Sequence, residues 1–380
     1  MEFTFIYKDN QLNLSSSNTR SIFSNIDKEV TQLELILIDG EKIKEDLFKF
    51  YKTNGKIIIP IRSIKKEFYN KALKYVEKEK IRNKRENREV ITCGKVEKKS
   101  YENQTKENTS RNSHIRGIVM YNPKLTTVFR SLESLIIKRL VSMGFEEIIL
   151  PKITPWNTWL KTGHLISNYS EIMPLCKTTP LEIYDSFYRS YFEEKEPSDT
   201  CKSVGGMTYS QCENFWSQLE TSPRCIMFDK ANLLFDRSGP SYRQERKNIS
   251  GIKRLAEFRR IELIFTGKEE ELNKIVENLL SFYRKLYQDL GFNPEISRVV
   301  SWSNLKEGYT IDFEVNFEGE LLETNNLSYN GSYYPKKFLG TKEVYSGCSG
   351  IGLDRFVYVL VTKYGIKKSV ELLTEYNNEI

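Results

Sequence analysis

Apolar residues recur with two different periods along this chain, and the periods separate its elements. In NPKLTTVFRSLESLIIKRLVSMG, Leu125, Val128, Phe129, Leu132, Leu135, Ile136 and Leu140 stand three or four apart, the spacing of one helix face. Asn122 precedes this run as N-cap, Pro123 takes the first helical position and Gly144 follows the last turn, so both ends of a helix are marked. NKIVENLLSFYRKLYQDLG repeats the pattern and stops at Gly291. YTIDFEVNF and GELLETNNLSY instead read as adjacent antiparallel strands joined near Gly319. FRRIELIF, residues 258–265, reads as one strand with Phe258, Arg260, Glu262 and Ile264 on one face and Arg259, Ile261, Leu263 and Phe265 on the other. A guanidinium and a carboxylate on such a strand are costly to bury unless they are paired or put to use.

Weaker signals complete the layout. FEEIIL predicts a strand closed by Pro151, CIMFDKANLLF further strand material, and GCSGIGLDRFVYVLVTKYG a glycine-rich turn entering a helix. Near the N-terminus, EFTFIY, LELILI and KIIIPI alternate with polar turns, which predicts a small antiparallel α+β domain over residues 1–77. Over 78–113 Lys and Arg outnumber Glu and large apolar groups are few. That composition predicts a charged connector, either a solvated linker or a basic arm that touches RNA. From 114 to 380 the expectation is an α+β domain, an antiparallel sheet with helices rather than the βα alternation of a dinucleotide fold.

Composition narrows the classes. With 380 residues, 39% hydrophobic and 12% aromatic, the chain has room for two domains and a sizeable core. A net charge of +7 permits a nucleic-acid or acidic-protein partner without identifying one. No apolar run reaches the roughly 18 residues of a membrane span. MEFTFIYKDNQ shows no basic stretch followed by an apolar one, so no export signal is expected and a cytoplasmic location is. Six scattered cysteines then read as reduced thiols. Only His114 and His164 are histidines, so any zinc site must lean on Cys and carboxylate.

Three stretches in order carry a family likeness. GFEEIILPKITP is a helix and strand ending in proline, YRQE…RLAEFRRIE fits Arg-x-Glu, a loop, then Arg-x3-Phe-x3-Glu, and GIGLDRF fits Gly-x-Gly-x-acid-Arg before a helix. Together they resemble the three signature motifs of class II aminoacyl-tRNA synthetases. GGMTYSQCENFW and SGCSGIGLDRF narrow the resemblance to the zinc-dependent, methanogen-type seryl-tRNA synthetases and the related amino acid:carrier protein ligases. The resemblance implies a class II antiparallel sheet flanked by helices, with the small N-terminal domain as a possible acceptor-binding module.

The same resemblance implies the site. Its metal ligands fall on Cys212, Glu262 and Cys348. Two thiolates and a carboxylate leave one position of a tetrahedral Zn2+ open, suited to a neutral α-amine. Cys93, Cys176, Cys201 and Cys225 match no ligand position. Arg243 resembles the motif 2 arginine that grips the α-phosphate of ATP, Phe258 the phenylalanine that stacks under adenine, and Arg355 the motif 3 arginine at the far end of a bent ATP. Glu245 matches a contact to the adenine edge or the amino acid, and Glu323 and Asn326 fall where the family keeps Mg2+-binding groups.

The implied function is an ATP-dependent ligase that activates a small, serine-like amino acid as its adenylate and passes it to an acceptor. The acceptor is tRNA by preference, with a carrier-protein thiol or a small-molecule amine as alternatives. The interval from Glu262 to Cys348 is shorter than in the tRNA-charging relatives, which keeps those alternatives open. A reading from another class is a non-catalytic paralogue that binds RNA or a partner enzyme. Motif 1 further implies a homodimer.

Overall fold

The computed structural model describes residues 4–8, 11–15, 34–38, 56–60, 88–109, 117–162, 164, 171–177, 202–221, 231–244, 249–300 and 308–378. The chain divides into two compact units, Met1–Asn87 with Gly163–Ser170, and Arg88–Thr162 with Glu171–Ile380.

In the first unit the expected apolar runs are strands. β1 (Thr4–Lys8) pairs antiparallel with β2 (Gln11–Ser15), whereas β3 (Glu34–Ile38) and β4 (Lys56–Pro60) run parallel. The second pairing corrects the all-antiparallel expectation. A parallel pair needs a crossover of about a dozen residues or more, and the interval between β3 and β4 is long enough.

The second unit opens with β5 (Arg88–Thr92), β6 (Val96–Glu97) and α1 (Glu102–Glu107). β5 pairs with a strand of the large sheet and β6 with the next one in. The stretch expected to be a free connector thus belongs, from Arg88 onward, to this unit. Two of its described basic groups are engaged within that unit: Arg88 pairs with Glu295 and Glu314, and Lys99 with Glu320. Pairing across a sheet is a long-range contact that local composition does not report.

α2 (Pro123–Ser142) follows the helical pattern closely. The Asn122 side chain accepts a hydrogen bond from the Leu125 backbone N–H at 3.1 Å, and Leu125, Val128, Leu132, Leu135, Ile136 and Leu140 are fully buried. Burying each such side chain contributes roughly 1.5–3 kcal/mol. Beyond Gly144, at φ +88°, only Glu146–Glu147 (β7) pairs as strand, so the strand expected up to Pro151 is shorter. β8 (Ile153–Pro155), α3 (Trp156–Thr162), β9 (Pro174–Lys177), β10 (Lys202–Met207) and α4 (Gln211–Thr221) come next, with β8, β10 and β9 forming a small sheet.

The remaining elements build the large sheet: β11 (Asn232–Asp236), β12 (Ser241–Tyr242), β13 (Glu257–Phe258), β14 (Arg260–Gly267), α5 (Glu269–Asp289), β15 (Glu295–Val300), β16 (Tyr309–Phe317), β17 (Glu320–Gly331), α6 (Tyr333–Leu339), β18 (Tyr345–Gly352) and α7 (Leu353–Asn378), which breaks at Gly365. Nine strands run in the order β5-β15-β16-β17-β18-β14-β11-β7, with β6 on β16, and β12 and β13 form a separate hairpin. The run expected as one strand over 258–265 therefore splits at Arg259. There the backbone N–H donates to Asp354 and the carbonyl accepts from the Leu353 N–H, in place of strand partners.

Ile261, Leu263 and Phe265 face a core shared with α2, α5 and α7. The opposite face carries Arg260, Glu262 and Ile264, and α4 and α6 pack on it through Phe215, Trp216, Tyr334 and Phe338. The glycines before Asp354 lie in β18, not in a turn. A Cβ on Gly347 would come within 2.1 Å of the Phe265 ring and 2.7 Å of the Ser328 carbonyl, so tight packing rather than turn geometry requires glycine there.

Candidate active site

Strand register assembles the first half of the site. In an antiparallel pair, opposed residues point to the same face. β18 opposes β14 with Gly350 facing Glu262 and Cys348 facing Ile264, so Cys348 and Glu262 are diagonal neighbours. The first turn of α4 lays Cys212 over them. The Sγ atoms of Cys212 and Cys348 and a carboxylate oxygen of Glu262 all lie within 4.8 Å of one another. Cys212 and Glu262 are buried. Asn330 Nδ2 donates to Cys348 Sγ at 3.5 Å, and Ser210 Oγ lies 3.1 Å from Cys212 Sγ.

The electrostatics of this trio favour a cation. The Cys212 thiol is held well above its ordinary range, first by its hydrogen bond with Cys348 and then by burial and the neighbouring acids. Burial likewise raises Glu262, against the opposing pull of Arg260. Three acidic donors crowded together, two of them buried, resist ionising by themselves, and a divalent ion reverses that by deprotonating coordinating thiols. The donor set and its closeness therefore fit Zn2+.

Arg260, noted in the sequence for its face but given no role there, pairs with Glu262 at 2.8 Å and donates to Ser210 Oγ at 3.0 Å. A Cβ on Gly350 would lie 3.2 Å from its Nη1 and 3.4 Å from Glu262 Oε2, so glycine leaves room for the pair. Glu213, also missed, is buried and accepts from Trp159 Nε1 and Thr162 Oγ1, each at 2.9 Å. These bonds tie the Cys212 turn to α3. The only sequence signal for either was a charge inside an apolar pattern.

The second half is a cavity beside the trio. Arg243, Phe258, Glu323, Asn326 and Arg355, singled out separately in the sequence, line it together with Lys253. The Arg243 guanidinium lies 4.3 Å from the Tyr209 ring centre and 5.1 Å from that of Phe258. Tyr209, which the sequence reading missed, donates its hydroxyl to Glu171 at 2.7 Å. Arg355 donates to the carbonyls of Lys253 and Glu323, each at 2.9 Å. Asp354 accepts from the Tyr121 hydroxyl and the Arg259 N–H, and burial raises its pKa to about 6. Asn326 Nδ2 donates to Glu323 Oε1 at 3.3 Å, and Asn326 Oδ1 accepts from the Gly350 N–H at 3.2 Å.

Glu245, Cys201 and Cys225 lie outside the described residues, as does the Cys176 side chain. Cys93 is exposed and outside the trio. No described helix is long and apolar enough to cross a membrane.

Residues 233–364 match the tRNA synthetase class II core domain (G, H, P, S and T), a span that holds Arg243, Phe258, Glu262, Cys348 and Arg355, with Cys212 just before it. The chain is 33% identical over 279 residues to the type-2 serine–tRNA ligase of Methanothrix thermoacetophila, covering 66% of this chain and 55% of that protein. It is 32% identical over 282 residues to that of Methanococcoides burtonii, covering 66% and 56%. The match thus spans little more than half the length of these relatives. Among solved structures, Methanopyrus kandleri SerRS in complex with A. aeolicus tRNASec aligns with a TM-score of 0.63 at 21% identity, covering 76% of this chain and 63% of that one. The cytoplasmic serine–tRNA ligase of Naegleria fowleri in complex with AMP aligns at 0.60 and 14%, covering 78% and 66%. At these identities the structures establish a shared fold.

Proposed function

We propose that this chain, whose residues 233–364 match the tRNA synthetase class II core domain, is a class II synthetase-type, ATP-dependent ligase that forms the adenylate of a small, serine-like amino acid and transfers the acyl group to tRNA. The observation that carries the proposal is that the Cys212–Glu262–Cys348 trio adjoins the cavity lined by Arg243, Phe258 and Arg355, since Arg260 and Gly350 line that cavity and both neighbour Glu262. An amino-acid site and a nucleotide site then share a wall, as an in-line reaction between their ligands requires.

In the proposed reaction an amino-acid carboxylate oxygen attacks the α-phosphorus of ATP. The new P–O bond forms as the bond to the β-phosphate bridging oxygen breaks, and pyrophosphate leaves. Arg243 presents a planar fork to the α-phosphate, where negative charge grows. Phe258 stacks on adenine, worth roughly 1–3 kcal/mol. Arg355, braced on two carbonyls, holds the far phosphates. Cys212, Glu262 and Cys348 would hold Zn2+, whose chemistry when bound is to take the neutral α-amine of the substrate in its open position. Glu323 and Asn326, which line the cavity, would hold Mg2+, whose chemistry when bound would be to neutralise phosphate charge.

The test is ATP–pyrophosphate exchange across the amino acids, followed by single-turnover transfer from preformed adenylate to bulk tRNA or to a carrier protein. Serine is expected to support the fastest exchange and tRNA to be acylated. Exchange with no amino acid refutes the ligase and leaves the non-catalytic reading. Acylation of the carrier protein alone moves the acceptor to its phosphopantetheine thiol.

The proposal includes a homodimer built on motif 1. In this segment Val141, Ile149 and Ile153 are 56%, 81% and 50% exposed, apolar surface that a two-fold interface would cover. Light scattering at micromolar concentration is expected to give twice the chain mass, and a monomer mass overturns the dimer.

A further inference from the structure

Glu323 and Asn326 share a cavity that plain strand geometry would deny them. Side chains alternate along a strand, so residues an odd number apart point to opposite faces. β17 escapes this through a bulge. Phe313 of β16 opposes Asn325, while the next residue, Glu314, opposes Glu323, leaving Thr324 without a partner. The extra residue turns Glu323 to the side of the sheet that Asn326 already faces.

We propose that Tyr287 of α5, on the opposite side of the sheet, is the positioning residue that holds this bulge and thereby sets Glu323 and Asn326 for the metal-bound phosphates of ATP. The inference rests on the nucleotide reading of the cavity. The Tyr287 hydroxyl is hydrogen-bonded to Thr324 Oγ1 and donates to Asn325 Oδ1, the two residues on which the register slips. The single Thr324 hydroxyl proton, directed to the Tyr287 oxygen, has a second acceptor within reach in the Phe313 carbonyl at 3.3 Å. Asn325 is 2% exposed and its Nδ2 has no hydrogen-bond partner, so Tyr287 is the one described group satisfying that amide. The Tyr287 ring is itself fixed, stacked on Phe313 at 5.9 Å and on Phe356 at 5.1 Å. One helical turn earlier, the Tyr283 hydroxyl lies 2.5 Å from Ser349 Oγ, which donates to the Asn326 carbonyl. Two tyrosines four residues apart on one helix face thus brace the cavity floor from behind. Neither touches the cavity side, so both act through other residues.

Tyr287→Phe keeps the stacked ring and removes only the hydroxyl. Calorimetry on the full chain should compare ATP binding in Mg2+ with ATP binding in a chelator. Loss of a supporting hydrogen bond behind metal-binding groups typically lowers affinity 10–100-fold, so about a tenfold loss is expected in Mg2+, with Mg2+-free affinity changed less than about twofold. General loosening of the fold would weaken both equally. If Tyr287→Phe lacks native circular dichroism, the isosteric Thr324→Val removes the hydroxyl partner of Tyr287 on the bulge, together with its contact to the Phe313 carbonyl, and the same two affinities are compared. Mg2+ dependence equal to wild type in the folded variant overturns the role of Tyr287. Wild-type protein that binds no ATP overturns the nucleotide reading, and this inference with it.

Discussion

Arg243→Ala is expected to slow adenylate formation by roughly 10²–10³-fold, the cost of removing one preorganised donor from a site of growing charge. In free energy that is about 2.7–4 kcal/mol. Arg243→Lys should recover little of it, because an ammonium cannot reproduce the planar two-donor fork. The fold should tolerate both changes. Arg243 packs by its guanidinium against Tyr209 and Phe258, and such contacts contribute about 0.5–2 kcal/mol. The measurement is single-turnover adenylate formation beside a thermal melt. An exchange rate in Arg243→Ala near that of wild type removes the phosphate role.

The second large effect concerns the metal. Purified protein is expected to hold about one Zn2+ per chain through ligands that include no histidine. Cys212→Ser and Cys348→Ser should each lower the metal content and abolish exchange. Glu262→Gln should weaken the site by removing an anionic donor and should also leave the buried Arg260 without its 2.8 Å partner. Breaking a buried pair costs about 3–5 kcal/mol, so its stability should fall more than that of either serine variant. Thiol and carboxyl ligands must lose protons to bind, so zinc uptake by metal-free protein should release protons and weaken as pH falls. Elemental analysis and a pH-indicator titration check these outcomes. Full activity after exhaustive chelation would sink the metal reading.

Much of the site was legible one residue at a time. Motif order brought out Cys212, Arg243, Phe258, Glu262, Cys348 and Arg355, and the structure gathers them into a buried trio and an adjoining cavity. Arg260 and Glu213 were harder to read. A buried charge signals a partner without saying which, and their partners come from Glu262, Ser210, Trp159 and Thr162, on strand, loop and helix. Tyr209 and Tyr287 carried no signal at all, since an aromatic residue in an apolar pattern looks like core.

What the chain determines by itself is what neighbours in sequence decide. The Asn122 cap, the stop at Gly144, the hairpin at Gly319 and the shared face of Arg260 and Glu262 depend on dihedral preferences and on periods of two and 3.6, which act over a few residues. The tertiary structure decided the rest. It split β13 from β14 at Arg259, where Asp354 and Leu353 supply the backbone partners. It turned a charged connector into the edge strand β5, and it drew a glycine-rich segment into β18 because Phe265 leaves no room for a Cβ at Gly347. It also set the slip on β17 that places Glu323 beside Asn326. Each is a matter of strand register or close packing between distant segments. Those are fixed by hydrogen bonds and volumes that exist only once the partner has arrived.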